Sequence, residues 1–267
     1  MPAYATVERN LREAMQCYAF CSAQGEVREA EGVVIASSGI DYSVFNSAMF
    51  TSPVDSLTDL QARISNAEVH FRARGLGWSC WLCEDMLAPT VQKAARQFFA
   101  SRGMKVAAQP PGMLADRIWP RERQPPKMEV RRVEDDRTRF DFADVASVVF
   151  ALPFAISEKI YVPESTWRSK MTGWVGYESE RAVSIVATVV SGTAVGIYSL
   201  ATVPHYQRRG YAETLMRHAL ETAHRETGIE KSILQTTKAG IGLYKRMGYR
   251  PVTNFSVYLQ DSCDFRG

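Results

Sequence analysis

The 267 residues are 46% hydrophobic and 23% charged, the composition of a globular chain rather than a disordered or fibrous one; at ~100–200 residues per domain they fit one large domain or two small ones. The longest nearly apolar stretch, Ala182 to Val190, is far too short to cross a bilayer, so a transmembrane protein is excluded. A net charge of +3 is too balanced for nucleic-acid binding by bulk charge, and any anionic partner must be held locally.

In chain order, the first twenty residues carry Glu8, Arg9, Arg12 and Glu13 and no apolar block, so no secretory leader and a cytoplasmic location are expected. The five cysteines, Cys17, Cys21, Cys80, Cys83 and Cys263, are an odd number, which argues against a disulfide framework. Cys17 and Cys21 with Cys80 and Cys83 have the residue types of a four-thiolate zinc site. Trp78 to Cys83 reads as a strand, however, where residues three apart point to opposite faces. Reduced, mostly buried thiols and no metal are therefore expected.

Leu60, Ile64, Ala67 and Phe71 form a helical stripe that closes near Gly75, with its start at Asp55 to Asp59. After the Trp78–Cys83 strand, Val91, Ala94, Ala95, Phe98 and Phe99 mark a second helix, closed at Gly103. Ile118 to Met128 then holds three prolines and four charged side chains between apolar flanks. Proline fixes its own φ and pushes the preceding residue toward extended conformations, so this stretch reads as a semi-rigid connector between residues 1–120 and 128–267.

Beyond the connector come a short strand (129–133) and helical patterns at 140–152 and 164–171. Three strands follow, at 174–178, 182–190 and 193–203, separated by turn signals at Ser179-Glu180 and Ser191-Gly192. The clearest helix has Ala212, Leu215, Met216, Ala219, Leu220 and Ala223 on one face and Gly228 as its stop. A strand (231–235), a short helix (239–247) closed by Gly248, and a last strand (252–259) complete a mixed α/β order. Helix, strand, short helix and glycine thus recur in both halves. Phe99-x3-Gly103-Met104 in the first corresponds to Tyr244-x3-Gly248-Tyr249 in the second.

Gln207-Arg208-Arg209-Gly210-Tyr211-Ala212 joins a strand to the clearest helix. Such a turn aims unpaired N–H groups and the positive end of the helix dipole at one spot, which suits a pyrophosphate. Gly210 permits close approach of the backbone, small Ala212 avoids a clash, and Arg208 or Arg209 can add charge-assisted bonds. Together with Leu234-Gln235-Thr236 and Leu243 to Tyr249, the run from Val203 to Ala212 closely resembles the GNAT superfamily of N-acetyltransferases. The loop of that family reads Gln or Arg, two residues, Gly, one residue, then Gly or Ala.

The resemblance implies an α/β fold of two tandem GNAT-like domains, each a mixed central sheet flanked by helices. Residues 128–267 would be the catalytic domain and 1–120 a degenerate copy that packs and walls the substrate pocket, with Asn46, Trp78 and Trp81 as wall candidates. It implies that Ala201, Thr202 and Val203 end the strand that pairs with the pantetheine arm of acetyl-coenzyme A (acetyl-CoA). The backbone of Gln207, Arg208, Arg209, Gly210, Tyr211 and Ala212 would hold the pyrophosphate, and Tyr244 would lie near the sulfur as proton donor to the leaving thiolate. The implied reaction is transfer of the acetyl group to a primary amine of a small molecule or peptide, by direct attack within a ternary complex.

Some lysine-acetylating members place a glutamate base where this chain has Gly196, which leaves Tyr198, Ser199, Glu178 and His205 as candidates. In the first half, Tyr42 to Phe50 would replace the loop-preceding strand, but Thr51 to Ser56 has neither glycine nor arginine, and Phe99 replaces the tyrosine. The rival reading is a non-catalytic acyl-CoA sensor or scaffold. Neither nucleic acid nor membrane is expected as a partner; substrate identity and assembly, a homodimer included, stay open.

Overall fold

The computed structural model of the protein describes residues 2–261, and Cys263 lies outside them. The first half runs α1 (Ala3–Cys17), a 3-10 turn (Tyr18–Cys21), the hairpin β1 (Glu26–Ala30) and β2 (Val33–Ser37), β3 (Asn46–Phe50), α2 (Leu57–Arg74), β4 (Trp78–Cys83), α3 (Pro89–Ala100), β5 (Lys105–Ala108) and β6 (Pro111–Ala115). The second runs β7 (Glu129–Arg132), α4 (Asp136–Phe150), α5 (Phe154–Tyr161), α6 (Glu164–Trp167), β8 (Met171–Glu178), β9 (Arg181–Ser191), β10 (Ala194–Thr202), α7 (Tyr211–Thr227), β11 (Ser232–Gln235), α8 (Ile241–Arg246) and β12 (Arg250–Gln260).

Local chemistry sets these limits. The Ser56 hydroxyl accepts the Asp59 N–H at the start of α2, and Gly75 ends that helix in the left-handed region. Asp135 and Thr138 form a reciprocal cap on α4. The two halves also end their short helices alike: the Met104 N–H bonds the Phe99 carbonyl at 3.1 Å and the Tyr249 N–H bonds the Tyr244 carbonyl at 3.0 Å, each across a glycine of positive φ. The helical pattern at 164–171 is divided. Only α6 forms there, Met171 already opens β8, and α5 lies just before it, bracketed by Pro153 and Pro163.

The strands make one mixed sheet in the order β1-β2-β3-β4-β12-β6-β11-β10-β9-β8-β7, with β5 paired to β12. β3 with β4 and β10 with β11 are its parallel pairs, joined through α2 and α7 respectively; the other pairs are antiparallel. The halves exchange their last strands. β6 pairs with β11 of the second half, and β12 returns to pair with β4 of the first along Phe255 to Gln260. α1 lies over β9, β10, β11 and β6, where the Asn10 amide donates to the carbonyls of Val189 (3.1 Å) and Ala194 (3.0 Å). The connector is docked as well: the Trp119 N–H bonds the Met247 carbonyl, and Arg121 reaches Thr214. Hydrogen bonding therefore crosses the sequence division at 120/128 in both directions.

One buried core runs through both halves, from Leu11 and Phe71 to Phe142 and Phe255; a second lies beneath α7, around Leu215, Met216, Ile197 and Leu234. Trp78 is a core residue stacked on Phe71, and the Asn46 side chain is held by Ser38, Ile40 and Gly77, so neither is available to a pocket wall; Trp81 packs against Phe255. Deleting residues 1–120 would strip β11 and β12 of β6 and uncover the face beneath α1. The expected product is an aggregating fragment without a cooperative thermal transition. A soluble 121–267 fragment with a sharp melt in calorimetry would show that the exchanged strand is dispensable.

Candidate active site

β10 pairs with β11 only from Val195 to Ile197. Its register against β9 then shifts between Tyr198 and Ala201, and Ser199 has φ 48. This bulge turns two successive side chains, Tyr198 and Ser199, to the face covered by α1 and α5, where they meet Asn10, Tyr18 and Tyr161. Beyond Ile197 the two parallel strands diverge, and among the described residues no strand lies beside the edge of Tyr198 to Thr202 that faced β11. Ala201 and Thr202 are buried on this stretch and Val203 is half-buried.

The strand leads through a 3-10 turn (Pro204–Tyr206) into Gln207, whose side chain donates to the Thr202 carbonyl at 3.0 Å. Arg208 (φ 60) and Gly210 (φ 89) take left-handed conformations, and Gly210 caps α7 without any side-chain cap. Among the described residues, no hydrogen bond involves the N–H groups of Arg208, Arg209, Gly210, Tyr211 or Ala212. These donors and the helix dipole make a ready cradle for an anion, and the neighbouring guanidinium groups of Arg208 and Arg209 are exposed. The buried Tyr211 hydroxyl donates to the Glu178 carboxylate, which anchors the first turn of α7 to β8.

Tyr244 lies on α8, 8% exposed, in the core beneath α7, with its ring edge-on to Tyr249 at 5.9 Å. Among the described residues its hydroxyl makes no hydrogen bond, and burial pushes its pKa up to about 12. Phe99, its counterpart, is fully buried and stacked on Tyr258 at 4.1 Å.

In the first half the chain itself closes the corresponding places. Past the β3/β4 pairing, the Val54 N–H bonds Met86 (2.8 Å) and its carbonyl accepts from Ala88 (2.9 Å), so the space between diverging strands is filled by backbone. The loop leading to α2 presents carbonyls rather than N–H groups: Arg63 donates to Gly32, Ser52 and Pro53 and pairs with Asp59. A buried guanidinium thus sits at the corresponding loop of the first half.

The glutamate position also has a physical explanation. A Cβ on Gly196 would lie 1.9 Å from Asn10 Oδ1 and 2.5 Å from the Tyr198 ring, so α1 leaves no room for a side chain there. Of the candidate bases, Glu178 is engaged by Tyr211, His205 is exposed on the 3-10 turn, and the Tyr198 hydroxyl donates to Asn10 at 2.7 Å with burial holding its pKa well above the ordinary value. Ser199 stands at the bulge. Cys17, Cys21, Cys80 and Cys83 are buried thiols outside any disulfide; burial raises all four, Cys21 and Cys83 to about 11.

A parallel strand pair opens here into an N–H-lined turn at a helix start, an arrangement whose donors and dipole favour an anion. Residues 169–251 match the family model described as Acetyltransferase (GNAT) domain. The chain is similar over almost its whole length to a GCN5-related N-acetyltransferase from Kribbella flavida (15% identity, TM-score 0.71, covering 97% of this chain and 95% of that one). A GCN5-related N-acetyltransferase from Sphaerobacter thermophilus (14%, 0.59, 98% and 94%) and a tandem GNAT protein from the clavulanic acid biosynthesis pathway (10%, 0.57, 96% and 93%) share the fold. No curated protein matches the chain in sequence. The second half thus carries a GNAT acetyltransferase domain at residues 169–251, and the chain as a whole shares its mixed α/β fold with solved GNAT structures, a tandem one among them. No helix among the described residues is long and apolar enough to cross a membrane.

Proposed function

We propose that the protein transfers the acetyl group of acetyl-CoA to a primary amine at one site, in the second half. The observation that carries this reading is the bare edge of β10 running directly into the unpaired N–H groups of Arg208 to Ala212. The pantetheine arm would pair with the edge at Ala201 to Val203, and the pyrophosphate would lie on the backbone of Gln207 to Ala212. Bound acetyl-CoA supplies an activated acyl carbon. N–H groups at the strand end would polarise its carbonyl, and the Tyr244 hydroxyl would give its proton to the departing sulfur. The new C–N bond replaces the C–S bond, the nitrogen loses a proton to water, and Tyr244 is reprotonated from solvent.

Because Val54 and Arg63 fill the equivalent places of the first half, one acetyl-CoA per chain is expected by calorimetry. Release of free coenzyme A thiol would be followed with pooled amines against an amine-free control. Release dependent on one pool supports the acetyltransferase; tight binding with no release from any pool supports a sensor. Absence of binding overturns both.

A further inference from the structure

Three hydroxyls meet at the bulge. The Tyr18 and Tyr161 phenols each lie against Ser199 Oγ, at 3.4 and 3.3 Å, and both rings are buried, whereas Ser199 is half-exposed beside the bare strand edge. Tyr18 belongs to the first half, Tyr161 to α5 and Ser199 to β10, so both halves build the group. Ser199 also occupies a left-handed conformation that side-chain-bearing residues rarely adopt, and such strain persists where the surroundings over-determine it. The two phenols also hydrogen-bond each other, so the three O–H donors are used within the group and its spare lone pairs are left to accept from a ligand.

The charge around this group is equally specific. The titratable neighbours acting on Tyr18 and on the adjacent Tyr198 are the Cys17 thiol, which burial raises, and Glu13, whose carboxylate is held by Lys170 at 2.6 Å and by Arg9. No carboxylate hydrogen-bonds the three hydroxyls among the described residues. Nor do the aromatic rings offer open faces to a cation, because Tyr18, Phe45 and Tyr161 pack edge to face on one another. An ammonium would lose its hydration here and find no counter-charge.

Resting on the acetyltransferase reading, we infer that Tyr18, Ser199 and Tyr161 form the amine end of the site, and that the acceptor is a weakly basic amine that enters uncharged. Ser199 Oγ accepts an N–H of the amine and leaves the nitrogen lone pair for attack. Tyr18 and Tyr161 are positioning residues that fix the Ser199 hydroxyl. An uncharged acceptor also removes the need for the strand carboxylate that Gly196 cannot supply.

The test uses two peptides of one sequence, one with a free α-amine and no lysine, the other N-blocked with a single lysine, at saturating acetyl-CoA between pH 6 and 10.5. Amine pKa values of ~7.7–8.0 and ~10.4 give a difference of roughly 300-fold in the uncharged fraction at pH 7. We expect kcat/KM to favour the α-amine by about 100-fold at pH 7, in line with that fraction, and the gap to close toward pH 10.5. Ser199→Ala and Ser199→Gly, the second of which relieves the backbone strain, should both lower kcat/KM for the amine about tenfold, the order of one lost hydrogen bond, with acetyl-CoA affinity unchanged. Tyr18→Phe and Tyr161→Phe should raise the KM for amine with little change in kcat. Equal use of the lysine peptide at pH 7, a gap that does not narrow, turnover of neither peptide with acetyl-CoA bound, or full activity in both Ser199 variants overturns the inference. Failure to bind acetyl-CoA would instead sink the acetyltransferase reading itself.

Discussion

Replacing Gly210 with glutamate is expected to abolish acetyl-CoA binding while leaving the fold intact. Gly210 caps α7 at φ 89 in the centre of the bare N–H turn. A carboxylate there would meet the phosphates directly and neutralise the favourable end of the helix dipole, so a loss of more than about 100-fold in affinity is anticipated. Gly210→Ala separates the contributions. Its Cβ would approach Pro126 at 3.3 Å, a tight contact that requires the ring to give by a few tenths of an ångström, and the left-handed backbone adds about 1–2 kcal/mol or roughly tenfold. Calorimetric titration reads both variants, with a thermal melt to verify folding. Undiminished binding in Gly210→Glu would put the phosphate site elsewhere.

Tyr244→Phe should reduce kcat by about 10²–10⁴ and leave acetyl-CoA affinity within a factor of two, since in the proposed reaction the hydroxyl would act only as the sulfur develops charge. The pH profile carries a second signature. Burial raises this phenol to about 12, so it keeps its proton, and its ability to donate, throughout the neutral and mildly alkaline range. Loss of the proton would begin to lower activity only as pH approaches that value, and no alkaline limb from Tyr244 should appear below pH 10. If kcat is unchanged in the phenylalanine variant, Tyr244 is a packing partner of Tyr249 and nothing more.

The elements around the site were legible because their signals are local. The stripe from Ala212 to Ala223 and the stop at Gly228 delimit α7, and the glycine pairs Gly75/Gly228 and Gly103/Gly248 mark the repeated helix ends. α1 was not legible: its apolar stripe of Val7, Leu11 and Ala14 is mixed with buried Glu8, paired with Arg12, and buried Asn10, whose burial makes sense only against β9 and β10. β5 and β6 are short, and their partners lie more than a hundred residues away in sequence. The turn from Gln207 to Ala212 could be recognised from its residue types alone. The Tyr18–Ser199–Tyr161 group could not, because three hydroxyl residues from distant segments carry no spacing signal; the bulge that gathers them is set by tertiary contacts. Gly196 was visible as a missing glutamate, whereas the cause, the amide of Asn10 above it, belongs to α1.

The exchange of last strands also governs the timing of folding. β6 leaves the ribosome long before β11, the neighbour that pairs its Ala115 with Ser232, and β4 waits still longer for β12. Neither half of the sheet can close on local contacts, so nascent chains must carry open strand edges through most of synthesis. Refolding should accordingly be slow and sensitive to protein concentration, and any mutation that delays the docking of β12 would be felt first as aggregation during production rather than as a lower melting temperature of the finished protein.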